Sequence, residues 1–136
     1  MMADALRVVL VDDEDLVRSG LRLLLSNAPD IEVVAEASNG RDAVATVLDA
    51  QPDVVLMDIR MPVMDGIAAV EKILSVHAVP IIMLTAFDTD SFILRALRAG
   101  AAGFLLKSTP PESLMAAVRA AAAGQPLLGP QVVDKA

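Results

Sequence analysis

Three carboxylates, a hydroxyl and an ammonium each stand directly behind an apolar run in this chain. Asp12 and Asp13 follow Val8–Val11, Asp58 follows Val54–Met57, Thr85 follows Ile81–Leu84, and Lys107 follows Phe104–Leu106. Short apolar runs bounded by charge, Gly or Pro suit strands buried on both faces of a parallel sheet, and such a sheet gathers all its strand C-termini on one edge. If the strand order is 2-1-3-4-5, the first and third strands are neighbours, and their acids converge with Thr85 and Lys107 on the flank. Three carboxylates that close cannot all stay ionised unless a cation offsets their repulsion. Oxygen ligands without Cys or His favour a hard ion. Mg²⁺ fits best, because it takes a few carboxylates, keeps waters and leaves positions for phosphoryl oxygens. A metal, a Lys and a Thr hydroxyl around one carboxylate suit phosphoryl transfer, where catalysis is mainly positioning and electrostatics. Asp58 is then the nucleophile, and its product is an aspartyl phosphate.

Taken singly, each of these residues has an ordinary explanation. Asp13 or Asp15 could cap the first helix, Asp58 could enter a loop, Thr85 could end a strand and Lys107 could be a solvated charge. Polar groups at four strand C-termini on one edge are hard to obtain from capping alone, and their convergence marks a site.

The elements that must position them alternate regularly. Helical spacing links Val17, Leu21 and Leu24; Val44, Val47 and Leu48; Ile67, Val70 and Leu74; Ile93 and Leu97; and Leu114, Val118 and Ala121. Ile31–Ala37 is interrupted by Glu32 and Glu36, as expected of an edge strand that must resist pairing with another molecule. Asn39-Gly40 opens the second helical region, Asp65-Gly66 reads as a turn, Gly100 closes the fourth helix, and Thr109-Pro110-Pro111-Glu112 has capping-box spacing with Pro at the first helical position. Five strand–helix pairs predict an α/β fold: a doubly wound five-stranded parallel sheet with helices on both faces. Periodicity is lost at the tail, so residues 1–124 are expected to form the domain and 125–136 to begin a linker.

Composition narrows the function classes. The 136 residues fit one domain with a core large enough to need no staples. Cys is absent, which excludes a disulfide framework, a thiolate metal site and a Cys nucleophile. No apolar run approaches the ~20 residues of a membrane span, and the N-terminus lacks signal-peptide character, so a soluble, cytoplasmic chain with no membrane partner is expected. Against 11 basic residues stand 18 acidic ones, and the net charge of -7 opposes phosphate contacts with DNA.

The stretches "VLVDDEDLVRSGL", "PDVVLMDIRMPVMDG", "PIIMLTAFD" and "AGAAGFLLKSTPPESL" resemble the receiver domain of bacterial response regulators over essentially the whole chain. The resemblance implies the flavodoxin-like (CheY-like) receiver fold with order 2-1-3-4-5. It also implies phosphotransfer from the phosphohistidine of a sensor histidine kinase to Asp58. Mg²⁺ would be held by Asp13, Asp58 and the backbone carbonyl of Arg60, with Asp12 assisting through water. Lys107 would pair with the phosphoryl group, Thr85 would move to hydrogen-bond it, and Phe104 would rotate inward as the switch aromatic. Such a domain is not an enzyme in the usual sense, although it catalyses its own phosphotransfer and slow autodephosphorylation. Ser108 rather than Pro follows Lys107, and with "VRSGLRLLL", "DIEVVAEASNGRDAV" and "LRAGAAGFLLK" this is most similar to the NarL/FixJ (LuxR-type) branch. In that branch a helix-turn-helix domain normally follows, so DNA would be bound only through a C-terminal domain not in this chain. Homodimerisation on phosphorylation, through the fourth and fifth helices or the first and fifth, is a further family expectation.

Bulky residues at Arg60 and Phe87 would hinder the attacking water and slow hydrolysis of the phosphoryl group. Phe92 reads as core, His77 carries no assigned role, and Arg95, Arg98 and Arg119 read as solvated charges. Other classes remain distinguishable. A haloacid-dehalogenase-type phosphohydrolase would carry its nucleophile in a DxD motif after the first strand, whereas Asp58 follows the third and is followed at the second position by Arg60. A flavin carrier would need a Gly/Ser/Thr-rich phosphate loop where this chain has "DDEDLVRSG". A stand-alone receiver, or a pseudo-receiver that binds a partner without phosphorylation, also stays open.

Overall fold

Short apolar runs and stretches of helical spacing alternate along the chain and are realised as ten elements in strict strand–helix order. The computed structural model describes residues 5–59, 64–86 and 90–125, with side chains at 90–93 outside that description. The strands are β1 (Leu6–Val11), β2 (Ile31–Ala37), β3 (Val54–Asp58), β4 (Ile81–Thr85) and β5 (Gly103–Leu106). The helices are α1 (Asp15–Leu25), α2 (Gly40–Ala50), α3 (Gly66–Val76), α4 (Asp90–Ala99) and α5 (Pro111–Ala122). Every strand pairing is parallel and the sheet order is β2-β1-β3-β4-β5, as expected from the sequence.

Successive strand side chains point to opposite faces, so the sheet divides the apolar residues into two clusters. Val9, Val11, Val55, Met57, Ile81, Met83 and Phe104 pack with residues of α2, α3 and α4. Val8, Leu10, Val54, Leu56, Ile82 and Leu84 pack with residues of α1 and α5. All five residues of β3 are buried, which is why its run is continuously apolar up to Asp58. β2 lies at the edge, where Glu36 is held by Arg18 and Arg22.

Helix termini follow the punctuation in part. Asn39 caps α2 by accepting from the Asp42 N–H at 2.8 Å, and Gly100 takes a left-handed φ of 112° directly after α4. Three expectations are corrected. The capping box does not form: Pro110, not Thr109, is the N-cap of α5, no side chain caps that end, and Pro111 takes the first helical position. Asp65-Gly66 is a helix start, with the Asp65 carboxylate accepting from the Ala68 N–H at 2.9 Å. Leu48, placed on the apolar stripe of α2, is 42% exposed, while the fully buried α1 residue is Leu25, one beyond the stripe expected. Arg119 is exposed as expected and is also paired, its guanidinium donating to both Asp30 oxygens at 2.7 and 2.9 Å.

Candidate functional site

The C-terminal edge of the sheet brings Asp12, Asp13, Asp58, Thr85 and Lys107 to one end of the molecule. Asp12 follows β1 directly, and its N–H extends the ladder by donating to the Ala37 carbonyl at 3.1 Å. Its Oδ1 accepts from the Glu14 N–H at 2.9 Å, turning the chain into α1. Neither Asp13 nor Asp15 caps that helix; Glu14 occupies the N-cap position without a side-chain bond. Asp58 ends β3. Behind it the Ile59 N–H donates to the Leu84 carbonyl at 3.2 Å, and the Gly66 N–H donates to the Ile59 carbonyl at 2.7 Å. A Cβ at Gly66 would lie 2.3 Å from the Asp58 carbonyl oxygen, so only glycine lets the start of α3 close over the strand tip.

Asp12 and Asp58 are the buried charged side chains among the described residues, at 1% and 6% exposure. Lys107 reaches both, its Nζ lying 3.2 Å from Asp12 Oδ2 and 3.4 Å from Asp58 Oδ2. Burial alone would lower the Lys107 pKa, but the Asp58 and Asp12 carboxylates more than offset it and hold the ammonium above its usual range. The side chain is therefore cationic at neutral pH. Lys107 is also tied through its backbone, its N–H donating to the Thr85 carbonyl at 2.8 Å. Thr85 is half-buried at the end of β4, opposite Leu106. Phe104, three residues before Lys107, is fully buried in the cluster on the α4 side.

One ammonium does not balance three acids. Asp12, Asp13 and Asp58 each offer a carboxylate oxygen within 4.8 Å of the others. Asp12 Oδ2 is fully buried and accepts no hydrogen bond, so its contact with Lys107 is an ion pair short of hydrogen-bond geometry. An all-oxygen set with an unsatisfied buried acceptor and one exposed member fits a hard divalent cation that keeps part of its water shell.

Arg60 and Phe87 lie outside the described residues, as does the side chain of Phe92. No cis peptide bond occurs among the described residues. Reading the residues in order did not find the role of Arg18, whose guanidinium holds the first acidic loop from behind. Its spacing of three from Asp15 on α1 was the available signal. Nor did it find the close approach of Gly66 to Asp58, although a glycine at a helix start eight residues after a candidate nucleophile carries that hint.

Residues 8–119 match the family described as the response regulator receiver domain. The transcriptional regulatory protein YxjL of Bacillus subtilis (strain 168) is 45% identical over 128 residues, covering 92% of this chain and 58% of that protein. This chain thus spans about three fifths of the length of the curated relatives it matches. Among solved structures, the signal receiver domain of a response regulator NarL from Mycobacterium tuberculosis superposes with a TM-score of 0.87 at 35% identity, covering 90% of this chain and 100% of that one. A LuxR-family two-component response regulator from Aurantimonas sp. SI85-9A1 superposes with a TM-score of 0.90 at 35% identity, covering 96% and 94%. The acidic edge and the sheet order thus occur in a sequence that matches receivers along nearly its full length, and the chain belongs to the response regulator receiver domain family of two-component systems.

Proposed function

We propose that Asp58 is the phosphoacceptor of a phosphorylation-controlled switch, served by Mg²⁺, Lys107 and Thr85. The observation that carries this reading is the Lys107 ammonium set between two buried carboxylates, with the three acids within metal-ligand reach of one another. Asp12, Asp13, Asp58 and the Arg60 carbonyl would hold Mg²⁺, which when bound neutralises the acids and the phosphoryl oxygens. In the transfer, an Asp58 carboxylate oxygen bonds to phosphorus as the phosphorus–nitrogen bond of a kinase phosphohistidine breaks. Lys107 stabilises charge on the phosphoryl oxygens from the opposite flank. The modification adds nearly two negative charges and three acceptors at a strand tip, drawing in the Thr85 hydroxyl. Phe104 connects that movement to α4 and β5, whose surface then regulates an output.

The same reading makes residues 1–124 the receiver and 125–136 the start of a linker to a C-terminal helix-turn-helix domain through which DNA is bound. Its partners are a sensor histidine kinase and, on phosphorylation, a second copy of the chain, in the cytoplasm. Among the described residues no helix is long and apolar enough to cross a membrane. Slow autodephosphorylation follows if Arg60 and Phe87 shield the phosphoryl group from water.

Intact mass spectrometry after incubation with acetyl phosphate, with and without Mg²⁺, tests the assignment. The expected result is a Mg²⁺-dependent gain of one phosphoryl group that Asp58→Asn abolishes. A folded chain that gains none is a pseudo-receiver acting through partner binding alone.

A further inference from the structure

Arg18 gathers three oxygens from three segments on one guanidinium. Its Nη1 donates to the backbone carbonyl of Asp12 at 2.5 Å, its Nε donates to Glu36 at 3.0 Å, and its Nη2 donates to Asp15. The side chain is only 15% exposed. Glu36 is itself fixed, because Arg22 donates to its other oxygen at 2.5 Å. Asp12 is thereby hydrogen-bonded at three of its four polar atoms, the N–H by Ala37, Oδ1 by Glu14 and the carbonyl by Arg18, which leaves Oδ2 to face the acidic cluster. Of these three ties, the Arg18 contact is the one made by a side chain.

We propose that Arg18 is a positioning residue for the Mg²⁺ site, fixing the peptide plane between Asp12 and Asp13 so that both carboxylates face the ion. This inference rests on the reading of Asp12, Asp13 and Asp58 as metal ligands. Because the peptide is planar, ψ of Asp12 and φ of Asp13 are the soft angles that set how the two Cα–Cβ bonds are turned relative to each other, and an anchored Asp12 carbonyl holds both. The edge strand supplies the far anchor. Arg18 bridges the loop to Glu36 on β2, a role a lysine cannot copy, since an ammonium lacks the planar fork that serves partners in separate directions.

Field and geometry make opposite forecasts. A cation near a metal site repels the metal, so if Arg18 acted only through its charge, its removal would tighten Mg²⁺ binding. If it acts through geometry, removal weakens binding. Arg18→Lys separates the two by keeping the charge while losing the fork.

Mg²⁺ is titrated into the isotope-labelled full chain at about 0.15 M salt, where charges beyond about 8 Å are screened, and backbone amide resonances report the affinity. The phosphorylation rate of Asp58 by acetyl phosphate is measured across the same Mg²⁺ range. Arg18→Lys and Arg18→Met are each expected to weaken Mg²⁺ by about ten-fold, at the low end for a lost support behind metal ligands. The rate at saturating Mg²⁺ stays within about two-fold, because a removed support for metal binding raises the half-saturating concentration without touching the step itself. Glu36→Asp, which keeps the charge and shortens the far anchor of Arg18, shifts the affinity in the same direction by less and decides the matter if an Arg18 variant fails to fold. Unchanged or tighter Mg²⁺ binding in the folded variants overturns the proposal, as does a fall in the saturated rate with no change in affinity. A parent chain that binds no Mg²⁺ removes the metal-site reading itself, a result distinct from a parent that binds and variants that bind equally well.

Discussion

At the scale of single residues, the balance between Lys107 and its acids sets the charge of the acidic edge. The ammonium is partly buried, and its pKa is raised because the carboxylates outweigh the burial that would lower it. A raised folded pKa means that the stabilisation is fully present below the ordinary lysine range and is lost as pH rises through the folded value. Lys107→Met is therefore expected to destabilise the metal-free chain by about 1–2 kcal/mol at neutral pH, less than a fully buried pair because the ammonium still meets water. The gap between variant and parent closes above the lysine range, as thermal melts in metal-free buffer will report. Residue identity and position alone carried most of this site. Five polar groups behind four apolar runs could be read directly, since each had to break a buried strand to reach its place. Arg18 could not, because its partners come from the β1–α1 loop, α1 and β2, and nothing in linear order predicts that one guanidinium spans them.

Among the elements, two glycines at helical positions make opposite forecasts. Gly20 lies mid-way along α1 with nothing within 4 Å of an added Cβ. Gly20→Ala should raise stability by about 0.5–1 kcal/mol, since alanine restricts the unfolded chain and suits a helix. Gly66 opens α3 against backbone, with the Asp58 carbonyl oxygen 2.3 Å and the Ile59 Cα 2.8 Å from an added Cβ. Gly66→Ala is expected to cost about 3 kcal/mol and, on the proposed role of Asp58, to slow its phosphorylation, because neither neighbour is a side chain that can swing away. Chemical denaturation of both variants measures the contrast. Strand and helix identity was legible because short continuous apolar runs bounded by charge, Gly or Pro alternate with longer stretches at helical spacing. Helix ends were less so. Thr109 and Glu112 have the right spacing for reciprocal capping, yet consecutive prolines shift the start of α5 by one residue and leave Pro110 without a side-chain cap. Leu48 fits the apolar period of α2 but falls at the stripe's margin, where the helix turns to solvent.

For the whole molecule, Arg119 of α5 and Asp30 before β2 tie the ends of the α1–α5 face together. The hydrogen bond from Arg119 lowers the Asp30 pKa, so the pair stabilises the fold above the usual carboxylate range and is lost as pH falls through the lowered value. Arg119→Leu should lower the melting temperature slightly at neutral pH and have no effect in strong acid. The partition of the core gives a second expectation. Val70 and Val118 are both fully buried but belong to clusters on opposite faces of the sheet. Each Val→Ala change should cost about 2 kcal/mol, from lost methyl burial and the cavity left behind. The double variant should equal the sum within about 0.5 kcal/mol, because residues without shared partners contribute independently. Strands whose side chains alternate between two faces let each core be repacked by itself. The face formed by α1 and α5 can therefore be re-engineered as a binding surface while the α2–α3–α4 face keeps its packing, with no compensating change needed across the sheet.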